Sequence, residues 1–278
     1  MERTTCRISG EPLVDLFSLG NIHVSDFVSK DTDISEKVEL KLCLAKESGL
    51  VQLSKTADFD SMYKRYWYHS GINESMRTQL EDIVKSVTKS IKLMEGDNWV
   101  DIGCNDGTLM SFIPSHVNKI GFDPASNNCQ QAKEYGTVVE NYFNAKEYPL
   151  EEKAKVVTSI AMFYDLEDPI SFCNDIHQVL DDNGLMLEQL AFDNICHEHL
   201  EYYTYQSIKN LLDQTGFKIV DFVLNDTNGG SCRVYIQKVT AEEDSFATAP
   251  YRDVCNFRIS SIDMYEKTLD LTSEGVLF

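Results

Sequence analysis

The 278-residue chain is 42% apolar and carries 25 basic against 45 acidic side chains, a formal charge of −20. That composition can fill a large core, while the negative field repels polyanions and, with no basic block to override it, argues against a nucleic-acid partner. No run of eighteen apolar residues occurs and the opening MERTTCRISG lacks the apolar stretch of a secretory signal, so membrane insertion and export are not expected and a cytoplasmic location is.

Residues 1–72 hold short apolar pieces, LVDLF and GLVQL, between polar turns without a helical period, and read as a small irregular N-terminal lobe. From Asn73, which suits an N-cap, Met76, Leu80, Ile83, Val84, Val87 and Ile91 recur at three- and four-residue spacing, so a helix is expected that Gly96 ends. NWVDIG follows as a short buried strand entering a glycine turn. Strands and helices then alternate: NKIGFD (strand), ASNNCQQAKEYG (helix), TVVENY and AKVVTSIAMF (strands), DPISFCNDIHQVLDDNG (helix) and LMLEQL (strand). YTYQSIKNLLDQTG reads as a further helix, and FKIVDFVL and SCRVYIQK as an antiparallel pair around the turn-rich NDTNGG. This alternation predicts an α/β domain over 73–240 with a mostly parallel sheet covered on both faces. The remainder, 241–278, is expected to be a helical extension. Eight scattered cysteines without a CxxC read as reduced thiols.

In WVDIGCNDGTLM a strand runs into Gly103 and Gly107, where missing Cβ atoms let the backbone turn sharply and approach a ligand. Asp123, ending the next strand, can accept hydrogen bonds from both hydroxyls of a ribose. The turn is GxxxG rather than GxGxxG and carries Asp101 and Asp106, which would repel a pyrophosphate. Carboxylates suit the ammonium and sulfonium charges of S-adenosylmethionine, with Asp101 holding the amino-acid end directly or through water. Asn141 could bond the adenine amino group, and Tyr142 or Phe143 pack on its ring. Asn105, Pro124 and Ala161 complete the candidate cofactor-binding set. A nicotinamide-dependent oxidoreductase is disfavoured by the same acidic turn.

ICHEHLEYYT places His197, Glu198 and His199 after the fifth strand of that sheet, at the carboxyl edge where such folds bind ligands. An imidazole, with its ordinary pKa about 6.5, suits removal of a proton from carbon beside a carbonyl, and Glu198 or a tyrosine could orient it. Two other readings stay open: zinc, although HEH is not HExxH, and a structural role, which fits His197 better than His199.

Residues 1 to about 240 resemble the sugar C-methyltransferases that act on nucleotide-linked 4-keto-deoxysugars. CRISGEPLVDLFSLG, SGLVQLS, YWYHSGINESM, DIGCNDGTL, GFDPA, MFYDLEDP, FDNICHEHLEYY and NGGSCRVY fall in that family's order. The resemblance implies a Rossmann-like class I methyltransferase sheet of seven strands, mixed and mostly parallel, preceded by a small lobe. It implies S-adenosylmethionine as cofactor, S-adenosylhomocysteine as product, and a nucleotide-linked keto-sugar as acceptor. His199 is then the base, with Glu198 beside it and Tyr68 and His69 steadying an enolate. His197, Gly230, Ser231 and Arg233 would face the substrate. The rivals are an O- or N-methyltransferase and a cofactor-binding subunit that needs a partner chain.

The sequence departs from the family at two places. The family's zinc lobe uses two CxxC pairs, whereas here the first reads Cys6-Arg7-Ile8-Ser9 and the second has Cys43 and Ser48, so zinc is not expected. The family also continues into a C-terminal domain; either a partner chain or self-association supplies its part, or the substrate is smaller or bound differently, or the chain is a trimmed relative that keeps the methyl-transfer core. In addition, Tyr164 and Asp165 stand near the position of a histidine frequent in the family after the fourth strand.

Overall fold

The computed structural model describes residues 2–24, 36–64, 66–191, 195–227 and 230–240. The expected helical extension over 241–278 lies outside them.

Near-continuous apolar runs place the parallel strands in the centre of a sheet. β4 (Asn98–Ile102) is buried at every residue, and β7 (Ala154–Ile160) and β8 (Leu180–Ala191) flank it through β7. With β5 (Asn118–Phe122), β6 (Thr137–Val139), β10 (Phe217–Asn225) and β11 (Ser231–Lys238) they form a seven-stranded sheet. Its order is β10-β11-β8-β7-β4-β5-β6, parallel from β6 to β8 and antiparallel at β11 and β10. This is the mixed, Rossmann-like arrangement expected.

Alternate side chains feed two cores, one per face. Trp99, Val156, Leu185 and Leu187 pack with α2 (Glu74–Ser90), through its Leu80, Ile83, Val84 and Val87. Val100, Ile102, Val157 and Met186 go the other way, against α5 (Pro169–Val179) and α6 (Tyr205–Gln214). Each such buried side chain contributes about 1.5–3 kcal/mol. The short α3 (Thr108–Phe112) and α4 (Ser126–Ala132) follow β4 and β5.

Three boundaries differ from expectation. Helix α2, capped by the Asn73 side chain on Ser75 N, stops at Ser90 because Ile91 is already extended, well short of Gly96. Helix α5 stops at Val179, and LDDNG belongs to β8, with Leu180 already paired to Ala154. The described residues of the N-terminal lobe are more regular than expected: they hold β1 (Val14–His23), β2 (Lys37–Leu44) and β3 (Val51–Leu53), followed by the single-turn α1 (Phe59–Tyr63). The β1 pattern hid itself, since most of its residues stay exposed and two bulges break its register with β2.

These strands form a second, antiparallel sheet of order β1-β2-β3-β9, whose last member, β9 (Glu201–Tyr202), directly follows the histidine loop. Leu40, Leu42, Val51 and Leu53 pack there with Leu200 and Tyr202. No helix among the described residues is long and apolar enough to cross a membrane.

Candidate active site

The glycine turn after β4 is locked by its own backbone. Gly103 N and Cys104 N donate to Phe122 O at 2.8 and 3.0 Å, and Gly103, Asn105 and Gly107 all have positive φ, of 71°, 50° and 77°. At Gly107 a Cβ would lie 2.7 Å from the Ala132 Cα, so only glycine lets the turn sit against α4.

The acids of the turn divide their work. Asp106 accepts from Thr108 N and Oγ1 at 3.1 and 2.6 Å and from Gly71 N at 2.8 Å, so its carboxylate ties the start of α3 to the 66–71 segment. Asp123 accepts from Asn105 N and Ala125 N, both at 2.8 Å, and keeps 7% exposure. Asp101, 3% exposed, accepts from Thr158 Oγ1 at 2.7 Å. Burial pushes its carboxyl up to about 7; the Thr158 bond opposes this and the Asp123 charge adds to it. Burial disfavours the charge of this carboxyl, and a cation placed beside it would favour the ionised form.

A strap crosses the turn. Asn105 Nδ2 and Asn128 Nδ2 donate to Tyr68 O at 3.0 and 3.2 Å, Ser70 N donates to Asn105 Oδ1 at 3.0 Å, and Asn127 Nδ2 donates to Tyr66 O at 2.8 Å. The strap brings half-buried Tyr68 and His69 to this side, and burial with the Asp106 charge raises the Tyr68 phenol. Pro124 is half-buried at the end of β5 and Ala161 is exposed after β7. Ala161 takes the left-handed φ of 55° while its N–H bonds Gln189 O at 3.0 Å, a strained non-glycine position at the sheet edge.

Two sequence assignments for the adenine side need revision. The Asn141 side chain is spent locally, accepting from Tyr142 N at 2.9 Å and donating to Glu147 at 3.0 Å. Phe143 is partly buried against the core, edge-on to Phe122 at 5.1 Å, while Tyr142 is 37% exposed.

The histidine loop lies at the carboxyl ends of β7 and β8. His199 is half-buried, its ring edge-on to Tyr164 at 4.4 Å, and Leu200 N donates to Tyr164 O at 2.8 Å. His197 is 1% exposed with Nε2 3.0 Å from Val38 O, a structural tie to β2 that displaces the substrate-facing role expected for it. Around Glu198 the fold gathers groups the sequence left out. Tyr63 Oη donates to Glu198 O at 3.4 Å, with its phenol close to Asp165, and the Cys196 thiol is close to Glu198. Burial, then the Asp165 and Glu198 charges, raises the Tyr66 phenol, so Tyr66 faces this cluster and Tyr68 the turn. Only Asp165 had a signal in the sequence, as the acid near the position of a family histidine.

The remaining substrate candidates are on β11 or just before it. Arg233 donates to Gln189 Oε1 at 3.0 Å and Asp82 Oδ2 at 2.7 Å, so its guanidinium is already held between β8 and α2. Ser231 is buried and donates to Thr227 O at 2.9 Å, whereas the position where Gly230 would carry a Cβ is open. In the N-terminal sheet Cys6 Sγ is 3.4 Å from Ser48 Oγ, while Cys43 bonds Asp15 instead. Among the described residues no group of three or more His, Cys, Asp or Glu is placed to hold a metal ion. An open cleft lined by Glu2, Glu36, Lys55, Asp58, Asp60 and Glu167 also lies beside this sheet; neither the glycine turn nor His199 lines it.

The family model described as a methyltransferase domain matches residues 72–221, and the chain belongs to that family. It is an S-adenosylmethionine-dependent methyltransferase. It is 24% identical over 259 residues to the C-methyltransferase NovU of Streptomyces niveus, across 86% of this chain and 62% of that one, and so spans less than two thirds of that relative's length. Among solved structures it is similar to magnesium protoporphyrin IX methyltransferase from Synechocystis PCC 6803 with bound SAM, at 14% identity, TM-score 0.48, 62% of this chain and 88% of that chain. A second is N-methyltransferase NodS from Bradyrhizobium japonicum WM9 in complex with S-adenosyl-l-homocysteine, at 13% identity, TM-score 0.49, 61% and 90%.

Proposed function

We propose that this enzyme methylates a carbon next to a ketone, in a nucleotide-linked keto-deoxysugar, with His199 as general base. The observation that carries the reading is the position of His199: half-buried on the loop after β8, edge-on to Tyr164 at the end of β7, on the same sheet edge as the glycine turn. The likeness to a C-methyltransferase supports the carbon acceptor.

When bound, S-adenosylmethionine supplies an electrophilic methyl group on a positively charged sulfur. Asp101 would hold the cationic amino-acid end, Asp123 the ribose side, and Gly103 and Ala161 line the backbone approach. Tyr142 is the aromatic available to the adenine. His199 removes the proton beside the ketone, leaving the electron pair on that carbon as an enolate. Hydroxyls of the 63–68 stretch steady the enolate oxygen, with Tyr66 on the His199 side and Tyr68 over the turn. The rest of the rate comes from holding the reacting groups in register.

The test is turnover with S-adenosylmethionine and a panel of nucleotide-linked ketosugars, with the product examined by NMR. A new C–CH₃ signal is expected. An O–CH₃ or N–CH₃ signal from an accepted substrate overturns the carbon assignment.

A further inference from the structure

The glycine turn and the 66–71 strap are joined through one side chain. Asn105 turns its carboxamide to the edge of the strap, where Oδ1 accepts from Ser70 N at 3.0 Å and Nδ2 donates to Tyr68 O at 3.0 Å. A carboxamide offers an acceptor and a donor in one plane, as a peptide unit does. Here it engages the carbonyl and the N–H on either side of His69, much as a neighbouring strand would. The backbone N–H of the same residue donates to Asp123 Oδ2 at 2.8 Å. Residue 105 therefore bonds both the carboxylate at the end of β5 and the segment that carries Tyr68.

Few residue types meet both demands. The φ of 50° lies in the left-handed region, which asparagine tolerates better than most side chains. Glycine would satisfy the backbone but supply no amide, and aspartate would supply no donor to Tyr68 O. The strap is seated closely as well. A Cβ at Gly71 would lie 2.8 Å from Thr108 Oγ1 and 3.0 Å from Asp106 Oδ2, and Asn128 Nδ2 adds a second donor to Tyr68 O at 3.2 Å.

We propose that Asn105 is a positioning residue, which acts on the acceptor through Tyr68 by fixing the strap and ties that strap to the donor side through Asp123. This rests on the reading of Tyr68 as a hydroxyl that steadies the enolate. Both amide atoms of Asn105 already have partners in the strap, so its contribution is to set the spacing between the phenol and the donor. A shift of about 1 Å in such a spacing costs roughly a hundredfold in rate.

The experiment uses the full chain and Asn105→Gly, which keeps the left-handed backbone and the N–H to Asp123 and removes the amide. Trp67 lies in the strap at 50% exposure and the chain's other tryptophan, Trp99, is fully buried, so acrylamide quenching of fluorescence reads the strap. Quenching is expected to rise roughly twofold in the variant. S-adenosylhomocysteine affinity by calorimetry stays within a few fold of wild type, which also checks folding. With an accepted ketosugar, kcat falls about a hundredfold while KM for S-adenosylmethionine changes little. Because both residues act through one hydroxyl, Asn105→Gly with Tyr68→Phe is no slower than the slower single variant, whereas independent effects would multiply. Asn105→Asp keeps the shape and the acceptor for Ser70 N, and carries the same readouts at smaller amplitude if the glycine variant does not fold.

Multiplying losses, or unchanged quenching, overturn the proposal. So does a collapse of S-adenosylhomocysteine affinity with quenching unchanged, which makes Asn105 a ligand of the donor. If wild type turns over no ketosugar, or Tyr68→Phe is as fast as wild type, the acceptor reading fails, while quenching and affinity still decide whether Asn105 holds the strap.

Discussion

The glycine turn and the histidine loop face one another along the same sheet edge, yet they treat their acids in opposite ways. At the turn Asp106 and Asp123 each receive backbone N–H donors and Asp101 receives a hydroxyl, so the receptacle is organised in advance. At the loop Asp165 and Glu198 each keep a buried oxygen without a donor. The contrast is one of satisfaction: the acids of the turn are bonded by the fold itself, whereas those of the loop each keep an oxygen without a protein donor.

The largest effect expected is at the loop. His199→Ala should cut kcat by about 10²–10⁴ and leave S-adenosylhomocysteine affinity, read by calorimetry, within a few fold; an unchanged rate removes the base. At the turn the corresponding blow is to stability. Gly107→Ala forces a Cβ to 2.7 Å from a backbone atom at φ 77°, and should cost about 2–4 kcal/mol, seen as a lower melting temperature with cofactor binding lost alongside it.

Asp101→Asn sharpens the distinction between the two regions. The folded carboxyl sits at about 7 against an ordinary 3.8. Between these values the folded chain holds a proton that the unfolded chain has released, so stability falls as pH rises through that window and levels off above about 7. The asparagine variant should flatten this slope and melt a few degrees higher at pH 8, while binding the cofactor about tenfold more weakly, a loss of roughly 1.4 kcal/mol. A melting profile identical to wild type across pH 4–8 would count against a buried, protonated Asp101. The smallest effect is at Asp82, whose side chain is 64% exposed in its pair with Arg233. Asp82→Ala should cost under about 1 kcal/mol, and a severalfold change in acceptor KM would show that the released Arg233 works in the cleft.

What the sequence made legible follows from range. The strands β4, β7 and β8 announce themselves as apolar runs, and the Asn73 cap and the 103/107/123 spacing are local patterns. The β1 strand was hidden because most of its residues are exposed, with only Leu16 and Phe17 packing on the small sheet's core. The start of β8 was hidden because LDDNG has turn composition. In the site, the losses are all long-range. Asn105 and Asp106 bond a strap about 35 residues earlier, and Tyr63 meets Asp165 across roughly a hundred, contacts that no periodicity encodes. Asn141 and Arg233 show the reverse: their chemistry suits a ligand, and in the fold Glu147 and Asp82 already bond them.

The loop bearing His199 is tethered by residues outside the span that defines the family. His197 docks on Val38, Tyr63 on Glu198, Leu53 N on Leu200 O at 2.9 Å, and β9 pairs with β3. The span 72–221 therefore holds the histidine but none of these four moorings, nor the 66–71 segment that bonds Asn105 and Asp106, so the lobe before it is a working part of the site's scaffold rather than an appendage.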